Sequence, residues 1–231
     1  MTSRDPSGHQ LSKSDLAGMI DHTLLKPDAT EAQIEKLCTE AVHHGFFSVC
    51  VNSSCIEKCK SIFAGTSVKI CTVVGFPLGA NVTSAKVSEA ADAEWLGADE
   101  IDMVINIGAL KDGRDEYVRN EISSVVDATS RHIVTKVILE NCYLIDDEKR
   151  RGCRLAMEAG ADFVKTSTGF GPYGATADDV TLMKKEIGKK MGIKAAGGIR
   201  DLRTALNLIR AGATRLGTSS SVKIIGEMSG Q

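Results

Sequence analysis

The stretch Ala159-Gly160-Ala161-Asp162-Phe163-Val164-Lys165-Thr166-Ser167-Thr168-Gly169-Phe170 passes from a helix end, through a short strand, into a polar loop. Gly160 stands where a helix C-terminus favours glycine. Phe163 and Val164 suit a strand, and Thr166 to Gly169 have the composition of a turn. The junction recurs at Leu96-Gly97-Ala98-Asp99 and Ala211-Gly212-Ala213-Thr214, with a looser copy at His44-Gly45-Phe46. Each copy runs at once into a strand. Five residues beyond the four glycines stand Cys50, Asp102, Lys165 and Gly217, equivalent positions near strand C-termini.

Working outward, strand-like runs are expected at Ile20–Leu24, Phe46–Asn52, Val68–Val74, Glu100–Ile107, Ile133–Glu140, Phe163–Thr166, Ile193–Ala196 and Arg215–Gly217. Several are apolar nearly throughout, as parallel strands covered by helices are. Helical patterns fill the gaps. Thr30 and Gln33 form a capping box ahead of Ile34, Leu37, Cys38, Ala41 and Val42 on one face. Thr83 starts a segment with Val87, Ala90, Ala91, Glu94 and Trp95, and Asp201 caps one with Leu202, Ala205, Leu206 and Ile209. Further helices are expected over 54–64, 114–129, 147–159 and 176–190, with Gly108 and Gly113 in a loop. Eight βα beats predict an α/β protein, a single (β/α)8 TIM barrel with a short extra N-terminal helix. Residues 11–231 form one catalytic domain, and 1–10 a flexible tail. A doubly wound open sheet is the alternative, but neither GxGxxG nor GxxxxGK[ST] occurs.

Bulk composition fits. Of 231 residues 42% are hydrophobic, enough for a large core, and 22 glycines suit tight turns. The net charge of −2, from 28 basic and 30 acidic residues mixed along the chain, argues against a nucleic-acid groove. Seven cysteines without a CxxC read as reduced core residues of a reducing compartment. No run of 18 apolar residues suggests a membrane span, and MTSRDPSGHQ lacks the apolar core of a secretory signal.

The chemistry-bearing residues are polar groups where strands end. Burying an ammonium is costly without a partner or a task. Lys165 is therefore either a snorkelling or paired lysine or an amine able to attack a carbonyl. Lys194, in Ile193-Lys194-Ala195-Ala196, poses the same question. Two such lysines facing one another across a barrel mouth would each make the other easier to deprotonate. Asp102, inside Ile101-Asp102-Met103-Val104, is a counter-ion or a proton carrier, and Asp21 is a similar case on the first strand. Lys136 is expected to pair inside the barrel with Asp102 or Asp21, and Asn106 to face a ligand hydroxyl. Cys50 points to the same mouth, as a core thiol or a reactive one. The five histidines, including His22, His43 and His44, form no metal-binding spacing, so no metal is expected. Gly169, Gly197, Gly198, Gly217, Ser219 and Ser220 follow the last three strands, where amides, hydroxyls and a short helix start can cradle an anion.

These parts fit one chemistry. Lys165 attacks a carbonyl, water leaves, and the protonated imine draws electrons from a breaking C–C bond, with no metal or organic cofactor needed. Asp102 and Lys194 shuttle protons, and the anion cradle holds a phosphate that places the carbonyl. The class is a Schiff-base lyase acting on a phosphorylated sugar.

From Asp21-His22-Thr23-Leu24-Leu25 to Gly217-Thr218-Ser219-Ser220 the chain resembles the deoxyribose-phosphate aldolase family. The most specific matches are Val164-Lys165-Thr166-Ser167-Thr168-Gly169, Lys194-Ala195-Ala196-Gly197-Gly198-Ile199-Arg200, Asp102-Met103-Val104-Ile105-Asn106-Ile107-Gly108 and Lys136-Val137-Ile138-Leu139-Glu140. The resemblance implies reversible cleavage of 2-deoxy-D-ribose 5-phosphate to acetaldehyde and D-glyceraldehyde 3-phosphate. It implies Lys165 as Schiff-base lysine, Lys194 as the lysine that perturbs it and Asp102 as acid–base group. Asp21, Lys136 and Cys50 match supporting positions, and Gly198, Ser219 and Ser220 phosphate-binding ones. It further implies a cytoplasmic homodimer of deoxynucleoside catabolism, with small phosphorylated sugar and aldehyde substrates and neither nucleic acid nor membrane as partner. Two departures stand out. Some relatives carry a lysine directly after the TSTG run, where this chain has Phe170, and some end in a tyrosine, where this chain ends Glu227-Met228-Ser229-Gly230-Gln231. A transaldolase-like barrel lyase acting on a longer sugar phosphate and a non-catalytic metabolite-binding barrel are the rival readings.

Overall fold

The computed structural model describes residues 11–228, so the tail expected over 1–10 lies outside them. Eight parallel strands are β1 (Ile20–Leu24), β2 (Ser48–Val51), β3 (Lys69–Val74), β4 (Glu100–Val104), β5 (Val134–Ile138), β6 (Phe163–Lys165), β7 (Gly192–Ala196) and β8 (Arg215–Thr218). They pair in sequence order, and β8 pairs with β1 through Asp21 and Gly217, which closes the barrel and excludes the open sheet. Around it lie α1 (Lys13–Ala17), α2 (Glu31–His44), α3 (Ile56–Ile62), α4 (Thr83–Leu96), α5 (Ile107–Lys111), α6 (Asp115–Asp127), α7 (Asp146–Glu158), α8 (Ala177–Ile187), α9 (Leu202–Ala211) and α10 (Ser221–Met228). The extra N-terminal helix is α1, capped by Ser12, whose hydroxyl accepts from the Asp15 amide.

Alternation along each strand divides the side chains. Ile101, Met103, Val137, Leu139, Ile193 and Ala195 turn outward and join Ile122, Val125, Leu206 and Ile209 of the helices in one core. Each such buried Ile, Leu, Val or Met side chain contributes about 1.5–3 kcal/mol. The other strand face, carrying Asp21, Glu100, Asp102, Lys136, Lys165, Lys194 and Arg215, turns into the barrel. Those side chains are buried too, so the interior is a charged layer inside an apolar one.

Local signals set the helices. In α2 the Thr30 hydroxyl accepts from the Gln33 amide, and Gly45 ends the helix at φ 67°. Ile34, Leu37, Cys38 and Ala41 are buried as expected, but Val42 lies at the edge of the stripe, 43% exposed. The expected stripe of α4 is wrong in detail. Its buried residues are Lys86, Ala90 and Ala93, while Trp95 is 80% exposed. Small alanines let this helix sit close to the barrel. Lys86 is drawn inside because its Nζ lies 2.8 Å from Glu121 Oε2 and from the carbonyls of Gly79 and Val104. The strand expected over Glu100–Ile107 stops at Val104. The Asn106 side chain, expected to meet a ligand, instead accepts from the Ala109 amide and caps α5, so Gly108 is helical rather than in a loop.

Candidate active site

Register brings the interior charges together. Asp102 is the ladder partner of Lys136, and Lys165 of Lys194. Asp102 is the hub. Its Oδ2 accepts from Lys165 Nζ at 2.7 Å and Lys194 Nζ at 2.6 Å, and its Oδ1 from Lys136 Nζ at 2.9 Å and the Cys71 thiol at 3.3 Å. Asp21 binds Lys194 through Oδ2 at 2.5 Å, and through Oδ1 it accepts from Ser48 at 2.7 Å and Arg215 at 2.8 Å. Glu100 completes the set, 2.6 Å from Lys136 and 2.9 Å from Arg215, whose guanidinium stacks over the Phe47 ring at 3.6 Å.

The electrostatics follow from this pairing. Burial pushes the Asp102 carboxyl up, but the ammonium groups of Lys136, Lys165 and Lys194 outweigh it and hold the group well below the usual carboxylate range. Asp21 behaves alike: burial raises it, and Lys194, Arg215 and Lys136 more than reverse that. Burial pulls Lys194 down, yet Asp102 and Asp21 hold it well above the ordinary lysine value. The expectation that Lys194 would itself be depressed is therefore overturned. The two lysines do not face one another across the mouth; they are neighbours on adjacent strands with a carboxylate oxygen between them. Lys136 is likewise raised, the pull of burial being exceeded by Asp102. Of its two expected partners it takes Asp102. A hydrogen bond with Cys71 lowers the Cys50 thiol to about 7 against burial, assisted by the Lys194 charge.

A cavity of about 440 Å³ opens above this network at the C-terminal ends of the strands. Lys165 is the member of the network that lines it. Asp102, Lys194, Asp21, Lys136 and Cys50 lie beneath, outside the lining. Gly169, Gly197, Gly198, Gly217 and Ser219 line the same cavity, with Thr23, Thr168 and Phe170. Ser220 does not. Its amide donates to Thr218 Oγ1 at 2.9 Å, which turns the chain into α10 instead. Two exposed cations, Lys26 and Arg200, stand in the wall without having been assigned a part from sequence. Their signal was position: both stand in the short loops that leave the C-terminal ends of β1 and β7, strands that carry Asp21 and Lys194. Glu100, Arg215 and Cys71 were missed as well, because a charge or thiol near the start of a strand reads as a surface or core residue until the barrel closes.

Behind the last loop, His22 braces the start of α10. Its Nδ1 lies 2.9 Å from Ser221 Oγ and its Nε2 2.9 Å from Glu40 Oε2, and burial lowers it from 6.5 despite Glu40. Two trios of ligand-type atoms, Cys50–Cys71–Asp102 and Asp21–Cys71–Glu100, lie close enough to share an ion. The lysine and arginine cations already occupy the space those atoms face.

The profile of the DeoC/LacD family aldolases matches residues 16–230. The deoxyribose-phosphate aldolase of Geobacillus sp. (strain WCH70) is 54% identical over 213 residues, spanning 92% of this chain and 96% of the relative. That of Bdellovibrio bacteriovorus is 58% identical over 210 residues, 91% of this chain and 95% of the relative. Among solved structures, a putative deoxyribose-phosphate aldolase from Coccidioides immitis superposes with a TM-score of 0.92 at 41% identity, covering 95% of this chain and 87% of the other. The tetrameric deoxyribose phosphate aldolase of Aeropyrum pernix gives 0.88 at 36% identity, covering 94% and 92%. The chain belongs to the DeoC/LacD family of aldolases.

Proposed function

We propose that this protein cleaves 2-deoxy-D-ribose 5-phosphate reversibly to D-glyceraldehyde 3-phosphate and acetaldehyde through a Schiff base on Lys165. The observation that carries the reading is the position of Lys165: its amine reaches a cavity from a floor of paired charges, hydrogen-bonded to Asp102 at 2.7 Å.

The steps follow from that position. Lys165, once it has given up a proton, attacks C1 of the open-chain sugar, and the carbinolamine loses water to give a protonated imine. The C3 hydroxyl loses its proton, the C2–C3 bond breaks, and its electron pair moves toward the imine nitrogen as an enamine. Glyceraldehyde 3-phosphate departs. Protonation at C2 and hydrolysis release acetaldehyde and restore the amine. Asp102 serves these proton movements through a water. When Lys165 ceases to be an ammonium, Asp102 Oδ2 regains a free lone pair directed at the reacting nitrogen. Lys194, held charged by two carboxylates, stays as the fixed cation beside it. Asp21, Lys136 and Cys50 support that arrangement from below.

The phosphate sits at the far side of the cavity, lined by Gly169, Gly197, Gly198 and Gly217, where Ser219 adds a hydroxyl ahead of α10. Lys26 and Arg200 supply the positive charge that a lysine at position 170 would give. Residues 11–231 act as a single catalytic domain, and the assembly is a cytoplasmic homodimer. Among the described residues no helix is long and apolar enough to cross a membrane. Light scattering checks the dimer.

Borohydride trapping with acetaldehyde or deoxyribose 5-phosphate, followed by peptide mass analysis, tests the core of the reading. The adduct is expected on Lys165. Labelling of nothing, or full turnover by Lys165→Ala, sinks it, and product analysis separates it from a lyase acting on longer sugars.

A further inference from the structure

Among the described residues, Glu140 is the non-glycine residue with a positive φ, at φ 57° and ψ 63°. A side chain in the left-handed region is strained, and such strain persists where the surroundings enforce it. The position lies just past the end of β5, where the chain leaves the barrel rim. Its side chain is buried, 2% exposed, and among the described residues it pairs with no lysine or arginine. Asp21, Glu100 and Asp102 by contrast all have cationic partners. A strained backbone and a buried carboxyl without a counter-charge both weigh against stability. They coincide at one residue beside the cavity.

The contacts show what the strain secures. The Glu140 carboxyl accepts from the Thr168 amide at 3.2 and 3.3 Å and from the Thr168 hydroxyl in a short hydrogen bond, and the Cys142 thiol lies 3.6 Å from it. Thr168 Oγ1 in turn accepts from the Phe170 amide at 3.0 Å. The carboxyl therefore fixes Thr168, and Thr168 fixes the turn through Gly169 to Phe170, all three of which line the cavity. The flanking backbone is tied too: the Leu139 amide donates to the Lys165 carbonyl and the Asn141 amide to the Thr166 carbonyl. With the rim already anchored on both sides of Glu140, the left-handed turn is what swings its carboxyl over the next loop. Gly171 lies so close that a Cβ there would stand 2.5 Å from Cys142 Sγ and 3.4 Å from the Glu140 carboxyl.

We infer that Glu140 is a positioning residue for the phosphorylated end of the substrate: through Thr168 it holds the Gly169–Phe170 wall of the cavity in its binding shape. This inference rests on the aldolase reading above. It separates Glu140 from the charged network, which serves the reacting nitrogen at the opposite end of the sugar. Loss of the Glu140 carboxyl loosens the grip on phosphate and leaves imine formation at Lys165 in place.

The test compares Glu140→Gly, Glu140→Gln and Thr168→Val with the wild type, on 2-deoxyribose 5-phosphate and on unphosphorylated 2-deoxyribose. Glycine relieves the backbone strain while removing the carboxyl. Glu140→Gly is expected to raise KM for the phosphorylated sugar by about tenfold or more, the scale of losing hydrogen bonds to an acidic group. Its kcat, its activity on 2-deoxyribose and its borohydride labelling by acetaldehyde change little. Glu140→Gln, which keeps an accepting oxygen, recovers most of the KM. Should Glu140→Gly fail to fold, Thr168→Val decides, since it removes the hydroxyl that connects Glu140 to the Phe170 amide and is expected to raise KM in the same direction. An unchanged KM, or an equal loss on both sugars with reduced labelling, overturns the role of Glu140. Absence of labelling in the wild type overturns the aldolase reading instead.

Discussion

Lys165 and Lys194, ladder partners on adjacent strands, donate to one and the same oxygen, Asp102 Oδ2, at 2.7 and 2.6 Å. A carboxylate oxygen shared between two ammonium groups holds each less firmly than it would hold one alone. Lys194 has a second carboxylate, Asp21, at 2.5 Å and is held charged well above the ordinary lysine value. Lys194→Leu gives Lys165 sole use of that oxygen and steadies its ammonium. The acidic limb of the pH–rate profile is expected to move to higher pH, with kcat lowered at neutral pH. An unmoved limb in a well-folded variant would count against this arrangement.

Asp102→Asn removes the anion that faces three ammonium groups. Breaking a buried ion pair from one side costs about 3–5 kcal/mol. Losing a positioned proton-transfer group costs about 10²- to 10⁴-fold in rate. Denaturant titration and initial rates below the new melting temperature are expected to show both effects. A stable variant with full turnover would refute the hub role.

Acid sensitivity has a definite sign. His22 is depressed below 6.5 in the folded protein, so the unfolded chain takes up its proton first as pH falls. The stability His22 contributes is complete above pH 6.5 and is lost as pH drops through its folded value. Asp21 and Asp102, also depressed, keep their contribution above the unfolded carboxylate value of about 3.9 and lose it only in much stronger acid. Unfolding free energy is therefore expected to decline on acidification from neutral pH, and His22→Asn is expected to flatten that slope. An identical slope in the variant would remove His22 as its cause.

Gly174 has its place for want of a side chain: a Cβ there would meet the Gly197 carbonyl oxygen at 2.1 Å and its Cα at 2.7 Å. Two cavity loops touch backbone to backbone at this point, and the Ala175 amide donates to Ala196 and Gly197. Gly174→Ala must push them apart. A rise in KM for the phosphorylated sugar of about tenfold, with a smaller change in kcat, is expected from steady-state kinetics. An unaltered KM would show that the loops yield elsewhere.

Much of this was legible in the chain. The glycine junctions before β2, β4, β6 and β8 located strands, and counting five residues on from each glycine put Asp102 and Lys165 at equivalent positions near strand C-termini. What escaped reading depends on closure. Arg215 meets Asp21 across 194 positions of sequence only because β8 returns to β1. Glu100 reads as a strand-start charge until Lys136 is seen 2.6 Å away. In α4 the sequence pattern grouped Trp95 with Val87, Ala90, Ala91 and Glu94, whereas tight packing favoured Ala90 and Ala93, and an ion pair drew Lys86 inward. Lys26 and Arg200 were visible as letters, but which wall they stand in is a matter of loop shape.

The barrel interior sets Lys136, Lys165, Lys194 and Arg215 against Asp21, Glu100 and Asp102. An imine formed at Lys165 is itself a cation, so it inherits the place of the ammonium it replaces. The field around it is the same before and after the covalent bond forms, and six neighbouring charges have no reason to move. Solvent in a beaker would have to reorient around each new charge, while this lattice is already oriented. The protein is thus built less around its substrate than around the charge of its own intermediate.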